Sequence, residues 1–260
     1  MTDEIVTRLR AAGCVFAEAE AALLRGAAGD ADGLEAMVRR RVLGEPLEYV
    51  VGWAALCGIR MVVEPGVFVP RHRTELLVDE AERLLPAGRP VVVDLCCGSG
   101  ALGAALAARR DIELYAADLD PAAVRCARVN VADAGGRAFA GDLFGPLPSA
   151  LRGRVRVLLA NVPYVPTEAI TLLPPESRDH ETRTTLDGGA DGLDVLRRVS
   201  TGAPHWLAPG GTVLVESSRR QAAAMCAVLA SDGLVSRVVR SDDLGATVVT
   251  GTHGPQEAGR

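Results

Sequence analysis

The sequence contains no lysine. All 28 basic residues of the 260-residue chain are arginines, against 33 acidic residues, and the formal net charge is −5. Nucleic-acid-binding proteins usually carry a surplus of positive charge, so this balance argues against such a partner, although a local basic patch is compatible with it. The absence of lysine together with abundant alanine is typical of GC-rich coding, and we infer no ligand from it.

Long apolar runs are also absent. No stretch reaches the roughly 18 uncharged apolar residues that indicate a membrane-spanning helix. The first ten residues, MTDEIVTRLR, are charged rather than apolar, which is unlike a secretory signal peptide. We therefore expect neither a membrane span nor a signal peptide, and we predict a cytoplasmic protein.

The sequence also lacks cysteines and histidines at the spacing of a metal site. The cysteines form no CxxC pair, and no histidine lies near them at a metal-ligand spacing. We interpret them as small buried hydrophobic residues and expect no bound metal. A vicinal disulfide between the two adjacent cysteines would be strained, and a reducing cytoplasm disfavours it. The cysteines are Cys14, Cys57, Cys96, Cys97, Cys126 and Cys226.

The pattern of apolar residues divides the chain into three parts. Residues 1–45 show helical spacing interrupted by a glycine-rich stretch, which predicts a cap of a few short helices. Residues 46–74 are rich in valine and punctuated by glycine, which predicts a hairpin linker. Residues 75–260 form the third part, a larger domain.

In this third part, strand and helix patterns alternate. Such alternation predicts an α/β domain with a parallel sheet and right-handed crossovers. Residues 165–193 interrupt it as a long irregular stretch, and loops of that length are usually functional or disordered. The predicted strands are 91–94, 112–118, 138–141, 155–161, 212–216, 235–240 and 246–251.

A glycine-rich turn follows the first strand of this domain. Asp94 ends the strand, the next helix begins near Ala101, and Gly98 and Gly100 lie between them. Glycines at this position allow a ligand to approach the backbone and the helix N-terminus, although a simple tight connection has the same pattern. The predicted ligand-binding residues of this segment are Asp94, Cys96, Cys97, Gly98, Ser99 and Gly100.

Acidic residues also end the next two strands. Asp118 is placed to accept hydrogen bonds from both hydroxyls of a ribose. Its alternative role, capping the next helix, suits Asp120 better, because Asp120 directly precedes Pro121. Asp142 is placed to meet an adenine amino group, with Phe144 stacking beside the base. Three acids at successive strand ends, without a complete GxGxxG, favour S-adenosylmethionine over NAD.

The apolar run 155–160 ends in the tetrapeptide Asn161, Val162, Pro163 and Tyr164. A strand that stops here places a carboxamide and an aromatic ring at the carboxyl edge of the sheet, where open α/β folds bind ligands. The carboxamide both donates and accepts hydrogen bonds, and the ring is flat. This combination predicts a site for a planar nitrogen nucleophile. The alternative is that Asn161 only caps a turn before Pro163.

These segments resemble the protein-(glutamine-N(5)) methyltransferases, which methylate the glutamine of the GGQ motif in peptide-chain release factors. The resemblance covers most of the chain. It implies a class I S-adenosylmethionine-dependent methyltransferase fold, a Rossmann-like sheet with a small helical N-terminal domain and a β-hairpin linker. It also implies S-adenosyl-L-methionine as cofactor and a protein substrate, with a release factor as first candidate. The matching segments are 44–49, 69–75, 94–100, 142–144, 161–164 and, most specific to the family, 178–193.

The resemblance assigns roles to the tetrapeptide. The side-chain oxygen of Asn161 and the backbone carbonyl of Val162 would accept the two N–H groups of the substrate amide, and Tyr164 would pack on its plane. An amide nitrogen is a poor nucleophile, and two acceptors orient it and stabilise the positive charge that develops during transfer. Asn161, Val162 and Tyr164 are therefore the predicted catalytic residues. Pro163 joins them in substrate binding, and Asn161 also borders the cofactor.

The chain departs from the family pattern at several positions. Val162 stands where the family usually has proline, His72 and Arg73 replace a proline–acid pair, Cys96 replaces a glycine, and the cap is short. A paralogue that acts on another target is therefore one alternative. A second is a methyltransferase for an exocyclic amino group of a nucleobase or small molecule, although an acidic chain disfavours nucleic acid. The presence of both Asn161 and Tyr164 argues against a third alternative, a protein that only binds a cofactor or partner without catalysing a reaction.

Overall fold

The structure, a computed structural model, describes residues 3–254. Residues 1–2 and 255–260, at the outer ends of the predicted cap and of the predicted α/β domain, lie outside the described residues. Within residues 3–254, no helix is both long and apolar enough to cross a membrane.

The N-terminal segment is helical, as its apolar spacing predicts. Asp3 and Asp30 accept backbone hydrogen bonds at the start of the first and third helices, which is a preferred N-cap interaction. Leu9, Leu24 and Val38 are fully buried in a small hydrophobic core between the helices. The helices are α1 (Glu4–Ala11), α2 (Ala17–Ala27), α3 (Ala31–Val42) and the short α4 (Leu47–Val51).

A two-stranded antiparallel hairpin follows, formed by β1 (Trp53–Leu56) and β2 (Ile59–Val62). Leu56 and Met61 are buried in the core of the large domain, so the hairpin packs directly against it. The side chain of Asn130 also bonds the backbone of Val62, accepting from its N–H at 2.8 Å and donating to its carbonyl at 2.9 Å. The hairpin lies inside the predicted linker 46–74, and the boundaries of the three predicted domains stay a prediction.

The remaining chain builds a seven-stranded sheet with helices on both faces. Its elements are α5 (Glu75–Leu84), β3 (Val91–Leu95), α6 (Ala101–Arg109), β4 (Glu113–Asp118), α7 (Pro121–Asn130), β5 (Arg137–Ala140), β6 (Val155–Ala160), α8 (Pro175–His180), α9 (Arg183–Leu186), α10 (Asp194–Trp206), β7 (Leu207–Glu216), α11 (Ala222–Ser231), β8 (Leu234–Ser241) and β9 (Ala246–His253). The strand order is β5-β4-β3-β6-β7-β9-β8, and β9 is antiparallel to both of its neighbours. The strand order reverses between β3 and β6, and open α/β sheets bind ligands at such a point.

The central strands are buried on both faces, which explains their almost uninterrupted apolar sequence. Because side chains alternate along a strand, Val93 and Leu158 belong to the core cluster that includes α10 and α11. Val92 and Leu159 belong to the cluster that includes α5 and α6 on the opposite face. The predicted α/β class with a parallel sheet is therefore confirmed, with one antiparallel strand at β9.

All seven predicted strands of this domain are present. The largest difference is at β7, which begins at Leu207 and not at the predicted 212. Residues 208–211 form an irregularity in the strand, and the residues on either side of it, Leu207 and Thr212, both pair with β6. The stretch 165–193, predicted to be irregular, contains a 3₁₀ turn at Thr167–Leu172 and the short helices α8 and α9.

Candidate active site

A cavity of about 860 Å³ opens at the carboxyl ends of β3, β4 and β6. Its wall is formed by the turn after β3, the ends of β4 and β5, the tetrapeptide after β6 and segments from 68–74 and 173–186. The structure therefore brings together most of the residues predicted from four separate strand ends. The predicted residues on this wall are Cys96, Cys97, Gly98, Ser99, Asp118, Asp142, Asn161, Val162, Pro163 and Tyr164.

The turn between β3 and α6 depends on left-handed backbone conformations. Cys96, Gly98 and Gly100 have φ values of 52°, 53° and 76°. A Cβ atom on Gly100 would lie 3.1 Å from the Cα of Ala127, so a larger residue meets both backbone strain and a close contact there. Cys96 takes its left-handed conformation without glycine's freedom, and this is the position where the family pattern has glycine. The turn brings the N-terminus of α6 to the cavity, which favours a negatively charged ligand group.

Asp118 connects this turn to the end of β4. Its Oδ2 accepts a hydrogen bond from the Gly98 amide at 2.8 Å, and its Oδ1 accepts one from the Asp120 amide at 2.9 Å. Burial raises the pKa of Asp118. Each carboxylate oxygen keeps a further lone pair for a ligand hydroxyl. Asp120 accepts from the Ala122 amide at 2.8 Å, which confirms its predicted role as the cap of α7.

Asp94 lies beneath the turn rather than on the cavity wall. It is fully buried, and its Oδ2 accepts a hydrogen bond from the Gly103 amide at 3.0 Å. Its Oδ1 has no hydrogen-bond partner among the described residues. Burial raises the pKa of this carboxyl to about 8. The predicted ligand contact of Asp94 is therefore corrected: the side chain anchors α6 to β3, and it supports the turn from below.

The buried carboxyl of Asp94 predicts a pH dependence of stability. Its pKa is about 8 in the folded chain and about 3.9 in an unfolded chain. Between these values the folded state holds a proton that the unfolded state has lost, so the free energy of unfolding falls as pH rises. We expect urea unfolding at several pH values between about 5 and about 8 to show this decline, and Asp94→Asn, which stays neutral, to reduce it. The same slope in both proteins would contradict this assignment.

Asp142 lines the cavity, whereas Phe144 does not. Asp142 is exposed on the cavity wall and pairs with Arg198 at 2.5 Å. The ring of Phe144 instead stacks on Trp206, with centroids 5.5 Å apart, and lines a separate small pocket. The predicted stacking of Phe144 on adenine is therefore corrected, because its ring packs among apolar side chains away from the cavity. Leu143, with a φ of 46°, lies on the wall in its place.

The Asn161 side chain and the Val162 carbonyl both lack an internal hydrogen-bond partner within residues 3–254, and both residues line the cavity. The Val162 side chain is buried, which holds its backbone in place. Because Asn161 bonds no amide of the following turn, the turn-capping alternative has no support in the structure. Two oxygen acceptors therefore remain available to a ligand at this wall.

Tyr164 is held through its hydroxyl group. The hydroxyl accepts a hydrogen bond from Arg73 Nη2 at 2.9 Å and donates one to Glu216 Oε1 at 3.0 Å. Arg73 Nε donates to the same Glu216 oxygen at 2.8 Å, and the Thr74 hydroxyl donates to the other at 2.6 Å. Burial raises the pKa of Tyr164 to about 12, so the hydroxyl stays protonated near neutral pH.

Several residues of the cavity wall were not predicted from the sequence, and neither was Glu216, which lies behind the wall. Glu216 ends β7, the strand next to β6. Because parallel strands present their carboxyl ends at one edge of the sheet, this position could have indicated that Glu216 lies near the site. Leu119 directly follows Asp118 at the end of β4, and its apolar side chain is 62% exposed. For Arg73 and Thr74, no local signal indicated a contact with the tetrapeptide.

The charged groups that segments 68–74 and 173–186 contribute to the cavity wall are paired internally. Arg71 forms an ion pair with Glu181 and donates to the Ser177 hydroxyl at 3.0 Å. Glu176 pairs with Arg41 of α3 at 2.7 Å. With the Arg73–Glu216 pair, each charged side chain that these two segments contribute to the described wall has an opposite charge beside it.

Comparisons with known proteins identify the family to which this chain belongs. Residues 58–171 match the family described as methyltransferase small domain. The release factor glutamine methyltransferase of Geobacter sulfurreducens is 37% identical over 218 residues, covering 83% of this chain and 75% of that protein. The chain belongs to the release factor glutamine methyltransferase family. This membership confirms the predicted resemblance, the methyltransferase activity and S-adenosyl-L-methionine as cofactor.

Two further comparisons describe the family and its fold. The 4-amino-L-phenylalanine/4-methylamino-L-phenylalanine methyltransferase of Streptomyces pristinaespiralis is 36% identical over 203 residues, covering 75% of this chain and 69% of that protein. A solved methyltransferase from Pyrococcus furiosus superposes with a TM-score of 0.54 at 15% identity, covering 75% of this chain and 89% of that chain. The predicted class I methyltransferase fold, with its Rossmann-like sheet, is confirmed.

Proposed function

We propose that this chain methylates the side-chain amide nitrogen of a protein glutamine, with the GGQ glutamine of a peptide-chain release factor as first candidate. The observation that carries the proposal is the pair of free acceptors, the Asn161 carboxamide oxygen and the Val162 carbonyl, on the wall of the cavity. The similarity to the release factor glutamine methyltransferase of Geobacter sulfurreducens supports the release factor as target. Such a target would place the reaction in the cytoplasm, which stays a prediction.

The other end of the cavity fits S-adenosylmethionine. The turn after β3 brings the N-terminus of α6 to the wall, which suits a carboxylate. Asp118 keeps lone pairs for the ribose hydroxyls, and Leu119 and Leu143 offer apolar surface to an adenine ring. When bound, this cofactor supplies an electrophilic methyl group on a sulfonium. The residues proposed to hold it are Cys96, Cys97, Gly98, Ser99, Gly100, Asp118, Asp142 and Asn161.

The tetrapeptide would make the amide nitrogen reactive. Its lone pair is delocalised into the carbonyl, so the nitrogen attacks poorly unless it is held and its developing charge is stabilised. The Asn161 oxygen and the Val162 carbonyl would accept its two N–H groups, orient the nitrogen and stabilise the positive charge that grows during transfer. Tyr164 and Pro163 would form the surface against which the planar amide lies. The methylated nitrogen is acidic and loses its extra proton afterwards.

The charges around the substrate side support a neutral acceptor group. Arg71, Arg73 and Glu176 each have an internal partner of opposite charge. A nucleotide phosphate or the carboxylate of a free amino acid usually binds to an arginine that is free to pair with it. A neutral carboxamide requires only the two oxygen acceptors. The wall therefore favours a glutamine side chain over a nucleotide or a free amino acid.

Mass spectrometry tests this proposal directly. After incubation with enzyme and S-adenosylmethionine, we expect a release factor to carry one added methyl group on the GGQ glutamine, and a release factor with Gln→Ala at that position to carry none. Parallel reactions should contain 4-amino-L-phenylalanine, for which the Streptomyces relative is named, and an RNA oligonucleotide. Methylation of either one with the release factor unmodified would contradict the proposal. Methylation of a glutamine in another protein would retain the chemistry and overturn the release factor as target.

A further inference from the structure

A network of four polar side chains joins the linker to the catalytic tetrapeptide. Glu216 ends β7, and β7 pairs with β6 up to the contact of Ala160 with Val215, so Glu216 and the tetrapeptide leave neighbouring strands at the same edge. Its carboxylate is buried, with a side chain 2% exposed. Two partners of this carboxylate, Arg73 and Thr74, come from the segment after the hairpin and line the cavity.

The network fixes the tip of the Tyr164 ring from two sides. Arg73 donates to the hydroxyl oxygen, and the hydroxyl proton is directed to Glu216, so its position is defined both as donor and as acceptor. The Tyr164 backbone is held separately, because its carbonyl accepts a hydrogen bond from Gln221 Nε2 at 2.9 Å. A ring held at its backbone and at its hydroxyl has little freedom to tilt or flip.

We propose that Arg73 and Glu216 are positioning residues for methyl transfer, and that they hold the Tyr164 ring as a fixed surface for the planar acceptor group. The proposal rests on the proposed function, since it assigns Tyr164 to the acceptor side. An ion pair between a buried carboxylate and a half-exposed arginine is by itself a poor source of stability, because desolvation of the carboxylate offsets the attraction of the charges. A displaced acceptor, by contrast, slows transfer strongly, since the reacting atoms must meet in a narrow geometry.

The kinetic test uses variants that keep most of the local volume. Tyr164→Phe retains the ring and removes the hydroxyl, and the double variant Arg73→Gln with Glu216→Gln removes both charges together. We expect each to lower kcat about 10-fold, with little change in the KM for S-adenosylmethionine. Adding Tyr164→Phe to the double variant should cause almost no further loss, because all three changes act through the same hydroxyl. Rates are measured on the acceptor that the wild type methylates.

A matched control separates positioning from stability. Glu80 is a buried glutamate of α5 that pairs with Arg83 at 2.9 Å and Arg237 at 3.1 Å and does not line the cavity. Glu80→Gln also removes a buried carboxylate from an arginine pair, so we expect it to change thermal stability and leave kcat unchanged. An unchanged kcat in Tyr164→Phe, fully additive losses, or an equal kcat loss in Glu80→Gln would overturn the proposal.

A second measurement is independent of the acceptor's identity. The chain has three tyrosines, so NMR signals of labelled tyrosine rings can be assigned with single Tyr→Phe variants. We expect slow flipping of the Tyr164 ring in the wild type and faster flipping in the Arg73→Gln/Glu216→Gln variant. Fast flipping in the wild type would overturn the positioning role whatever the substrate is. A fixed ring in a protein that methylates no glutamine would overturn the proposed function alone.

Discussion

Replacing Asn161 with alanine is expected to lower the rate of methyl transfer about 100- to 1,000-fold, the effect of removing one preorganised group that stabilises transition-state charge. Asn161 offers a carboxamide without an internal partner to the cavity, and alanine removes the acceptor while leaving the backbone. The affinity for S-adenosylmethionine should change much less, because Asn161 is proposed to act chiefly on the acceptor nitrogen. A fall in kcat with an almost constant Kd for the cofactor, measured by calorimetry, checks both parts.

Two further variants sharpen this test. Val162→Pro should retain activity, because it keeps the carbonyl, and within residues 3–254 the Val162 amide donates no backbone hydrogen bond that proline would remove. Asn130→Ala should show the opposite pattern to Asn161→Ala: Asn130 donates to the Ser99 carbonyl at 2.8 Å, so its loss should weaken cofactor binding first. If Asn161→Ala turned over at the wild-type rate, the assignment of the acceptor pair would be wrong.

Replacing Asp118 with alanine is expected to weaken S-adenosylmethionine binding by about 1.5–3 kcal/mol, or roughly 10- to 150-fold in Kd. The proposed ribose hydroxyls would lose a charged acceptor at the end of β4. The Gly98 and Asp120 amides, 2.8 and 2.9 Å from the carboxylate, would lose theirs as well. The second effect loosens the turn after β3, so the loss should lie toward the upper end of this range.

Asp111 provides the matched control. It precedes the opposite end of β4, and its exposed side chain pairs with Arg89 at 3.2 Å, away from the cavity. Asp111→Ala should therefore bind the cofactor like the wild type. Asp118→Asn, which keeps one oxygen acceptor without the charge, should fall between wild type and Asp118→Ala. Equal cofactor affinity in Asp118→Ala and wild type would remove Asp118 from the site.

The sequence by itself determined the class of fold and the edge of the sheet where the site lies. Apolar runs separated by helical patterns predict a parallel sheet, and the strands observed match those runs, although β9 is antiparallel to its neighbours. Gly98 and Gly100 mark the turn because backbone φ values above zero favour glycine, and this requirement is local. Asp118 and Asn161 were predicted to line one site because both lie at strand ends, and parallel strands present their carboxyl ends at one edge of the sheet. Both line the cavity.

The direction and the partners of side chains were decided only by the tertiary structure. Asp94 and Phe144 stand at the predicted edge, yet one lies beneath α6 and the other on Trp206, because packing against distant elements sets where a side chain points.

The network around Tyr164 shows the same limit over a longer range. Arg73 is separated from Tyr164 by 91 residues and from Glu216 by 143. Local propensity extends over a few turns of chain, so it carries no information about such contacts. They exist because the sheet places β6 beside β7 and the linker folds back across their carboxyl ends, and only the assembled fold brings these charges within hydrogen-bonding distance.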